Sequence, residues 1–443
     1  MSNLTQRKST FPPNPAGNGK HDARSEELNP RTTHYEFMGT PGALFVMLGC
    51  PAVLYGFAYF CNADGCPNLA SLPSVQVEKL FDPTAALIYL GFLAYLTVLY
   101  FVLPGPWIPG TLLRDGSRLH YKINAFKTLI ATLLTTLALF YQYGTTPFII
   151  VTEHFLGLIT TATLFSAVFS LYLYVRSFGK GRLLALGGNT GNFLYDYFIG
   201  RELNPRIGDF DLKYLIELRP GLIGWMLLNI CFAAKQYQEL GGRITNSMML
   251  VLFFQSWYIV DAVLNEPAVL TTMDIIQDGF GYMLAFGNLA WVPLSYSLQA
   301  RYLSHFPRDL SLIEVAAILT VQFGGYYIFR GSNGQKNAFR TNPDSLSVKH
   351  LKYIETKTGS KLLISGWWGV ARHINYLGDL LMALAWSLPC GFSTPIPYFY
   401  PVYMTVLLVH RDRRDDEKCR NKYGKDWERY CQLVKYRILP GVY

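Results

Sequence analysis

Ten apolar runs constrain this chain more than any other feature. They fall near residues 42–60, 84–103, 123–143, 147–175, 221–234, 247–264, 280–298, 312–329, 376–392 and 395–409. Most approach the roughly 20 residues that a helix needs to cross a bilayer. Hydrophobic residues make up 51% of the 443, and charged residues only 16%, against roughly 25% in soluble proteins. That much apolar surface exceeds what a soluble globule of this length can hide. The expected fold class is therefore an all-α polytopic membrane protein with about ten transmembrane helices. The last two runs are short and joined by CGFSTPIP, which reads as a tilted hairpin.

The charges orient the runs. Lys and Arg favour the cytoplasmic side of a membrane. They cluster in 1–40, 104–122, 176–219, 330–361 and the tail from 410, whereas 61–83 holds only Lys79. Ten crossings place every rich segment, and both termini, in the cytosol. One segment resists the rule: 265–279 is nominally cytoplasmic yet has no Lys or Arg. Residues 1–40 are polar, without the apolar core of a cleavable signal peptide, and read as a disordered cytosolic tail ahead of a membrane domain at 41–443. The net charge of +9 sits at membrane edges, where basic residues are expected anyway, so nucleic acid is not a partner. Seven cysteines show no CxxC pair. Cys61 and Cys66 flank a loop and can bridge if lumenal, but two nearby cysteines are more often unpaired thiols.

Segments 330–361 and 410–437 then share one compartment, and both carry chemistry. In RGSNGQKNAFR (330–340), Lys336 and Arg340 lie four apart, on one face of a helix. A guanidinium fork beside an ammonium suits a phosphate. The spacing is not that of a P-loop, and LGGNTGN (186–192) does not make a Rossmann fingerprint. WWGVARHINYLGD (367–379) sets Arg372, Tyr376 and Asp379 on one helical face that runs into apolar sequence, where polar groups usually face the protein interior. His373 has no spaced Cys or His partner, so no metal site is expected. In VLLVHRDRRDDEKCRNKYGKDWERYC (406–431), Arg411, Asp415, Cys419 and Lys422 form a stripe along an extension of the last apolar run. In mid-membrane, SWYIVDAVLNEP (256–267) places Tyr258 and Asp261 one turn apart, with Glu266 beyond as a brace. Ionisable groups there are expensive and usually functional, although most buried tyrosines are simply core.

Three blocks carry a family resemblance. GNTGNFLYDYFIGRELNPRIGDFDLKYLIELRPGLIGW (188–225), RHINYLGD (372–379) and LLVHRDRRDDEKCRNKYG (407–424) resemble the signatures of the sterol reductases, most closely the sterol Δ14-reductase and lamin-B-receptor branch. The strong blocks span about 185 to 443. The resemblance implies an enzyme of the endoplasmic reticulum membrane. It would reduce the C14–C15 double bond of a sterol intermediate in ergosterol-type biosynthesis with NADPH, its substrate drawn from the bilayer and other sterol-biosynthesis enzymes as possible neighbours. It also implies that Lys336 and Arg340 meet the cofactor phosphates. Leu363, Trp368, Asn375, Tyr376 and Asp379 would line the cleft. Arg411, Asp415, the stretch Cys419, Arg420, Asn421, Lys422 and Tyr423, and Tyr430 would complete it. The cofactor region is then about 310–443, a cytosol-facing pocket of C-terminal helices, with Tyr258 and Asp415 as the catalytic pair. Rival readings are a reductase of the Δ7 or Δ24(28) bond, a sterol-binding scaffold without chemistry, and a transporter. The last predicts internal repeats that the sequence lacks.

Overall fold

The computed structural model describes residues 27–68 and 77–443. Seven helical spans among them are long and apolar enough to cross a membrane: Gly39–Phe60, Val77–Val102, Ala125–Tyr143, Phe155–Arg176, Leu212–Glu239, Asn246–Leu264 and Leu312–Thr341. The protein is an all-α polytopic membrane protein. The longer helices are α1 (Gly39–Phe60), α2 (Pro83–Val102), α3 (Ala125–Tyr143), α4 (Phe155–Arg176), α5 (Gly224–Glu239), α6 (Asn246–Leu264), α7 (Leu312–Thr341), α8 (Ile374–Ser387), α9 (Phe399–Tyr423) and α10 (Lys425–Leu433). Among the described residues the strands form only three two-stranded hairpins: β1 (Trp107–Leu112) with β2 (Arg118–Lys122), β3 (Arg206–Ile207) with β4 (Phe210–Asp211), and β5 (Tyr353–Glu355) with β6 (Lys361–Leu363).

Four of the ten expected runs take other forms. Run 280–298 breaks into Tyr282–Phe286, a π-helical turn at Gly287–Trp291, and Val292–Tyr296, a short helix with Pro293 in its first turn. Run 376–392 gives a helix of 14 residues closed by a 3₁₀ turn at Leu388–Cys390. Run 395–409 enters α9, whose 25 residues are charged beyond His410. These last two form the hairpin read from CGFSTPIP. Run 147–175 is two helices rather than one. A first helix, Thr146–Glu153, ends at His154, whose ring is bonded to Asp82.

The span Leu212–Glu239 is the central one: 78% of its most apolar window is buried, against 17% for α1. It too contains a π-helical turn, Arg219–Ile223, at Pro220. Polar groups at this depth need partners inside the protein, and they have them. Gln255 of α6 accepts from Trp225 at 2.9 Å and from Asn229 at 2.6 Å. Glu266 accepts from the Ala125 backbone at 2.7 Å, from Arg219 at 2.9 Å and from the Tyr214 hydroxyl.

Two expectations near the N-terminus change. Residues 1–26 of the expected tail lie outside the described residues, but 27–40 are docked. Asn29 donates to the Arg182 carbonyl at 3.0 Å, Thr32 N–H to the Asn189 carbonyl at 3.0 Å, and Tyr35 meets Tyr195 edge-on. The polar residues that suggested disorder instead hydrogen-bond to the distant segment around 182–189. Cys61 and Cys66, whose pairing the sequence left open with free thiols the commoner outcome, form a disulfide. Asn62 and Gly65 exchange backbone hydrogen bonds, and that tight turn leaves the two Cα atoms 4.2 Å apart.

One close approach positions the C-terminal half. A Cβ on Gly325 of α7 would lie 2.7 Å from the Gly378 carbonyl oxygen of α8. A Cβ on Gly378 would lie 2.6 Å from that of Gly325. Two glycines thus let the backbones of α7 and α8 touch, as small residues do between membrane helices. That contact fixes the cationic end of α7 beside the start of α8.

Candidate functional site

The contact of α7 with α8 sets one wall of a polar pocket of about 270 Å³, and the β5–β6 hairpin, α9 and α10 set the others. Lys336 and Arg340 project into it from successive turns of α7, as their spacing implied. Lys336 Nζ lies 3.8 Å from the centroid of the Trp368 ring, and Trp368 is fixed from below by donating to the Ser332 carbonyl at 2.8 Å. Such a cation over an indole is attracted by the ring's negative face.

The hairpin brings Lys361, Leu362 and Leu363. It turns at Gly359, whose φ of +77° suits a residue without a Cβ. α9 supplies Asp415, Lys418, Cys419, Lys422 and Tyr423, and α10 supplies Trp427 and Tyr430. Leu362, Tyr423, Trp427 and Tyr430 pack into one cluster, so the hairpin and α10 share an aromatic end of the pocket. Burial pushes the Cys419 thiol up to about 12, so it is neutral there.

Between α7 and α9 stand Arg372 and His373, just before α8 begins at Ile374. Arg372 is therefore not on the helical face of Tyr376 and Asp379 that the sequence suggested. The chain is held short of helix by the C-terminal segment: Arg372 N–H donates to the Tyr436 carbonyl at 3.0 Å and His373 N–H to that of Arg437 at 2.7 Å. His373 Nε2 lies 3.4 Å from Asp412 and 3.5 Å from Asp415, and its ring stacks on Tyr376 at 4.7 Å. Burial lowers its pKa, and the two carboxylates only partly oppose that. Arg437 neutralises Asp412 at 2.5 Å and Asp416 at 3.1 Å, which leaves Asp415 as the carboxylate of this turn that faces the pocket.

Nine of the residues expected at the cofactor line this pocket: Lys336, Arg340, Leu363, Trp368, Asp415, Cys419, Lys422, Tyr423 and Tyr430. Asn375 lies just behind, bonded to Asn333 at 3.4 Å, with its side-chain oxygen buried and unpartnered. Tyr376 and Asp379 continue down α8, away from the pocket. Arg420 is turned outward onto Asp416 at 2.9 Å, and Asn421 is exposed; neither lines the pocket because both point from the far face of α9. Arg411 is not in the lining either. It donates to Asp274 at 3.1 Å.

That bond also accounts for the segment that broke the charge rule. Residues 265–279 lack cations because their carboxylates receive them: Arg411 at Asp274, Arg414 at Asp278 (3.3 Å) and Arg219 at Glu266. Lys213 donates to the carbonyls of Asp274 (2.6 Å), Ile275 and Asp278.

Tyr258 does not line the pocket that holds Asp415. Its ring packs against Trp386 at 5.2 Å and Trp225 at 6.2 Å, and its hydroxyl has no hydrogen-bond partner among the described residues. Asp379 is its strongest electrostatic neighbour. Tyr258 and Tyr376 border the same apolar cluster, so α8 links the two surroundings. Asp261, one turn on, serves Arg330 at 3.6 Å, and Glu266 serves Arg219, so both brace the bundle. The expected cofactor set lacked Phe339, Lys361, Leu362, Arg372, His373, Lys418 and Trp427, which also line the pocket. Lys418 had a signal, its i,i+4 spacing to Lys422; Lys361 had none without the hairpin register.

The chain matches the model of the Ergosterol biosynthesis ERG4/ERG24 family over residues 31–443. The Delta(14)-sterol reductase erg24 of Schizosaccharomyces pombe is 55% identical over 412 residues, covering 92% of this chain and 97% of the relative. The Delta(14)-sterol reductase of Ascobolus immersus is 48% identical, with 92% and 99% covered. The Delta(14)-sterol reductase TM7SF2 of Mus musculus is 47% identical, with 92% and 97% covered. With the family model spanning nearly the whole chain and relatives this similar over nine-tenths of it, the chain belongs to the ERG4/ERG24 family of ergosterol biosynthesis.

Proposed function

We propose that this chain is a sterol Δ14-reductase that uses NADPH, works in the endoplasmic reticulum membrane with both termini cytosolic, and draws its sterol from the bilayer. The relatives' names support the reaction. The observation that carries the cofactor reading is the polar pocket: six cations, Lys336, Arg340, Lys361, Arg372, Lys418 and Lys422, against one carboxylate. A cluster of this sign is costly unless an anion of several charges occupies it. The residues present fit a phosphorylated dinucleotide. Lys336 over Trp368, the aromatic end at Tyr423 and Trp427, and the unpartnered Asn375 oxygen offer charge, stacking and a hydrogen bond. Residues from about 310 onward would hold it. When bound, it supplies a hydride.

The chain's own residues do the rest. Reducing an unactivated alkene adds a proton and a hydride to adjacent carbons. Protonation at C15 puts the positive charge on the tertiary carbon C14, so an acid must face C15 in a site that excludes water. Tyr258 meets that need: its hydroxyl is unengaged, its ring is held by two tryptophans, and Asp379 lies near it. A tyrosine of ordinary pKa near 10 is a weak acid and must be resupplied with a proton. His373, 3.5 Å from Asp415 and stacked on Tyr376, leads from the pocket in that direction.

Membranes holding the chain, incubated with NADPH and a panel of Δ7, Δ14 and Δ24(28) sterols, test the reading. Reduction of the Δ14 sterol, seen as a gain of two hydrogens by mass, is expected. Reduction of another bond alone would move the chain to that specificity, and no reduction would leave a sterol-binding protein.

A further inference from the structure

The segment ahead of α1 grips α9 one turn before the polar pocket. His410, Arg414 and Lys418 lie four residues apart, in one stripe along α9. Lys418 lines the pocket. The other two meet residues 36 and 37. Arg414 donates to Glu36 at 2.8 Å and to Asp278 at 3.3 Å. The His410 ring stacks on Phe37 at 5.2 Å. Phe37 also meets Phe198 edge-on at 5.6 Å, and Glu36 N–H donates to the Tyr195 hydroxyl at 2.8 Å. Glu36 and Phe37 therefore bridge α9 to the helix Phe193–Ile199, and Arg414 joins both to the loop 265–279.

This bridge is built on an unfavourable backbone. Phe37 has a φ of +53° and Met38 one of +63°, a region that residues with a side chain rarely adopt. Met38 is 92% exposed, so its own packing does not offset the strain. The turn is fixed instead by the seat of Phe37 between Phe198 and His410, and by Gly42, where a Cβ would lie 1.6 Å from the Phe37 carbonyl oxygen. Strain of this kind persists where surrounding contacts over-determine it, and it gathers at clamps and switches.

We propose that Glu36 and Phe37 are positioning residues for the reaction. Through Arg414 and His410 they set the place of α9, and so the place of Asp415 and Lys418 in the pocket wall. Neither Glu36 nor Phe37 lines the pocket itself. The path is short: Asp415 is the next residue after Arg414, and Lys418 is one helical turn on. The link to a cofactor rests on reading the pocket as a dinucleotide site, whereas the grip on α9 does not.

Hydrogen exchange and steady-state kinetics on the purified, detergent-solubilised full chain test the proposal. Glu36→Gln and Phe37→Ala should each speed amide exchange several-fold over residues 410–423 and leave α8 at the wild-type rate. Both should raise the KM for NADPH several-fold, with kcat at saturating NADPH and sterol within about twofold of wild type. Glu36→Asp should recover most of the loss. Adding Glu36→Gln to Arg414→Gln should cost nothing further, because Glu36 acts through Arg414; additive losses overturn that route. This pair keeps Phe37 and carries the test if Phe37→Ala does not accumulate. A lower melting temperature with KM and α9 exchange unchanged would make the segment a structural support only and overturn the proposal. Faster exchange in α9 with an unchanged KM would leave the grip and overturn the positioning role. If wild type does not use NADPH, the dinucleotide reading fails and the positioning role with it, while the exchange rates still report the grip.

Discussion

Arg411 reaches across 137 residues to donate to Asp274 at 3.1 Å, tying α9 to the loop that follows α6. Both partners are partly exposed, 37% and 23%, so the pair contributes modestly, at most about 1 kcal/mol. A double-mutant cycle of Arg411→Gln and Asp274→Asn should therefore show a coupling of about 0.5–1 kcal/mol in denaturant unfolding. Additive losses would mean that the two residues act separately and that Arg411 is free for another partner.

Glu266 is a different case, because it is fully enclosed. It faces Arg219, itself 0% exposed, and it also accepts from Ala125 N–H and Tyr214. Removing one member of a buried pair leaves the other charge uncompensated, at a cost of about 3–5 kcal/mol. Glu266→Ala should fail to accumulate in membranes or melt far below wild type, whereas Asp261→Asn, whose partner Arg330 is 45% exposed, should accumulate normally. A stable Glu266→Ala protein would show that water or rearrangement satisfies Arg219.

What the sequence disclosed follows a physical line. Lys336 with Arg340, and Asp415 with Cys419 and Lys422, were legible because each set lies on one helix, where spacing alone fixes the face. The long apolar spans were legible because the bilayer sets their length. Lys361 was not, because its place depends on a hairpin register around Gly359. The bond of Arg411 to Asp274 was not legible, because that partner lies 137 residues away in sequence. Segment 265–279 registered only as an exception to a charge rule, and the exception proved to be the acidic side of three ion pairs. Run 280–298 looked like a span because composition does not record a π-helical turn at Gly287–Trp291.

Tyr258→Phe separates chemistry from folding with little ambiguity. The hydroxyl has no hydrogen bond to lose among the described residues, and the ring contacts with Trp225 and Trp386 remain in phenylalanine. The melting temperature should stay within a degree or two. Turnover at saturating sterol should fall by roughly 10²–10⁴-fold, the usual contribution of a general acid, with cofactor affinity near wild type. A fully active variant would transfer the acid role to Asp379 or Asp415.

His373 gives a pH dependence of definite sign. Its side chain is 11% exposed, between Asp412 and Asp415, with Lys336 and Arg372 also near. Burial is the largest influence and holds its pKa below the ordinary value of about 6.5. As the pH falls through 6.5, the unfolded chain takes up a proton that the folded chain refuses. The unfolded state then binds more protons, so stability declines with acidification. The loss continues until the folded pKa is reached, at up to about 1.4 kcal/mol per pH unit for one proton. Asp416, held low because bonds from Arg420 and Trp427 outweigh its burial, titrates only at lower pH. His410 is also lowered by burial and persists in the variant as a shared background. Unfolding of wild type and His373→Gln should therefore be compared from pH 7.5 to 5.5. Wild type should lose stability more steeply below pH 6.5, and the difference between the two curves is the share of His373. If the curves run parallel, His373 keeps its ordinary affinity for protons, Asp412 and Asp415 offsetting its burial, and the reading of a lowered pKa fails.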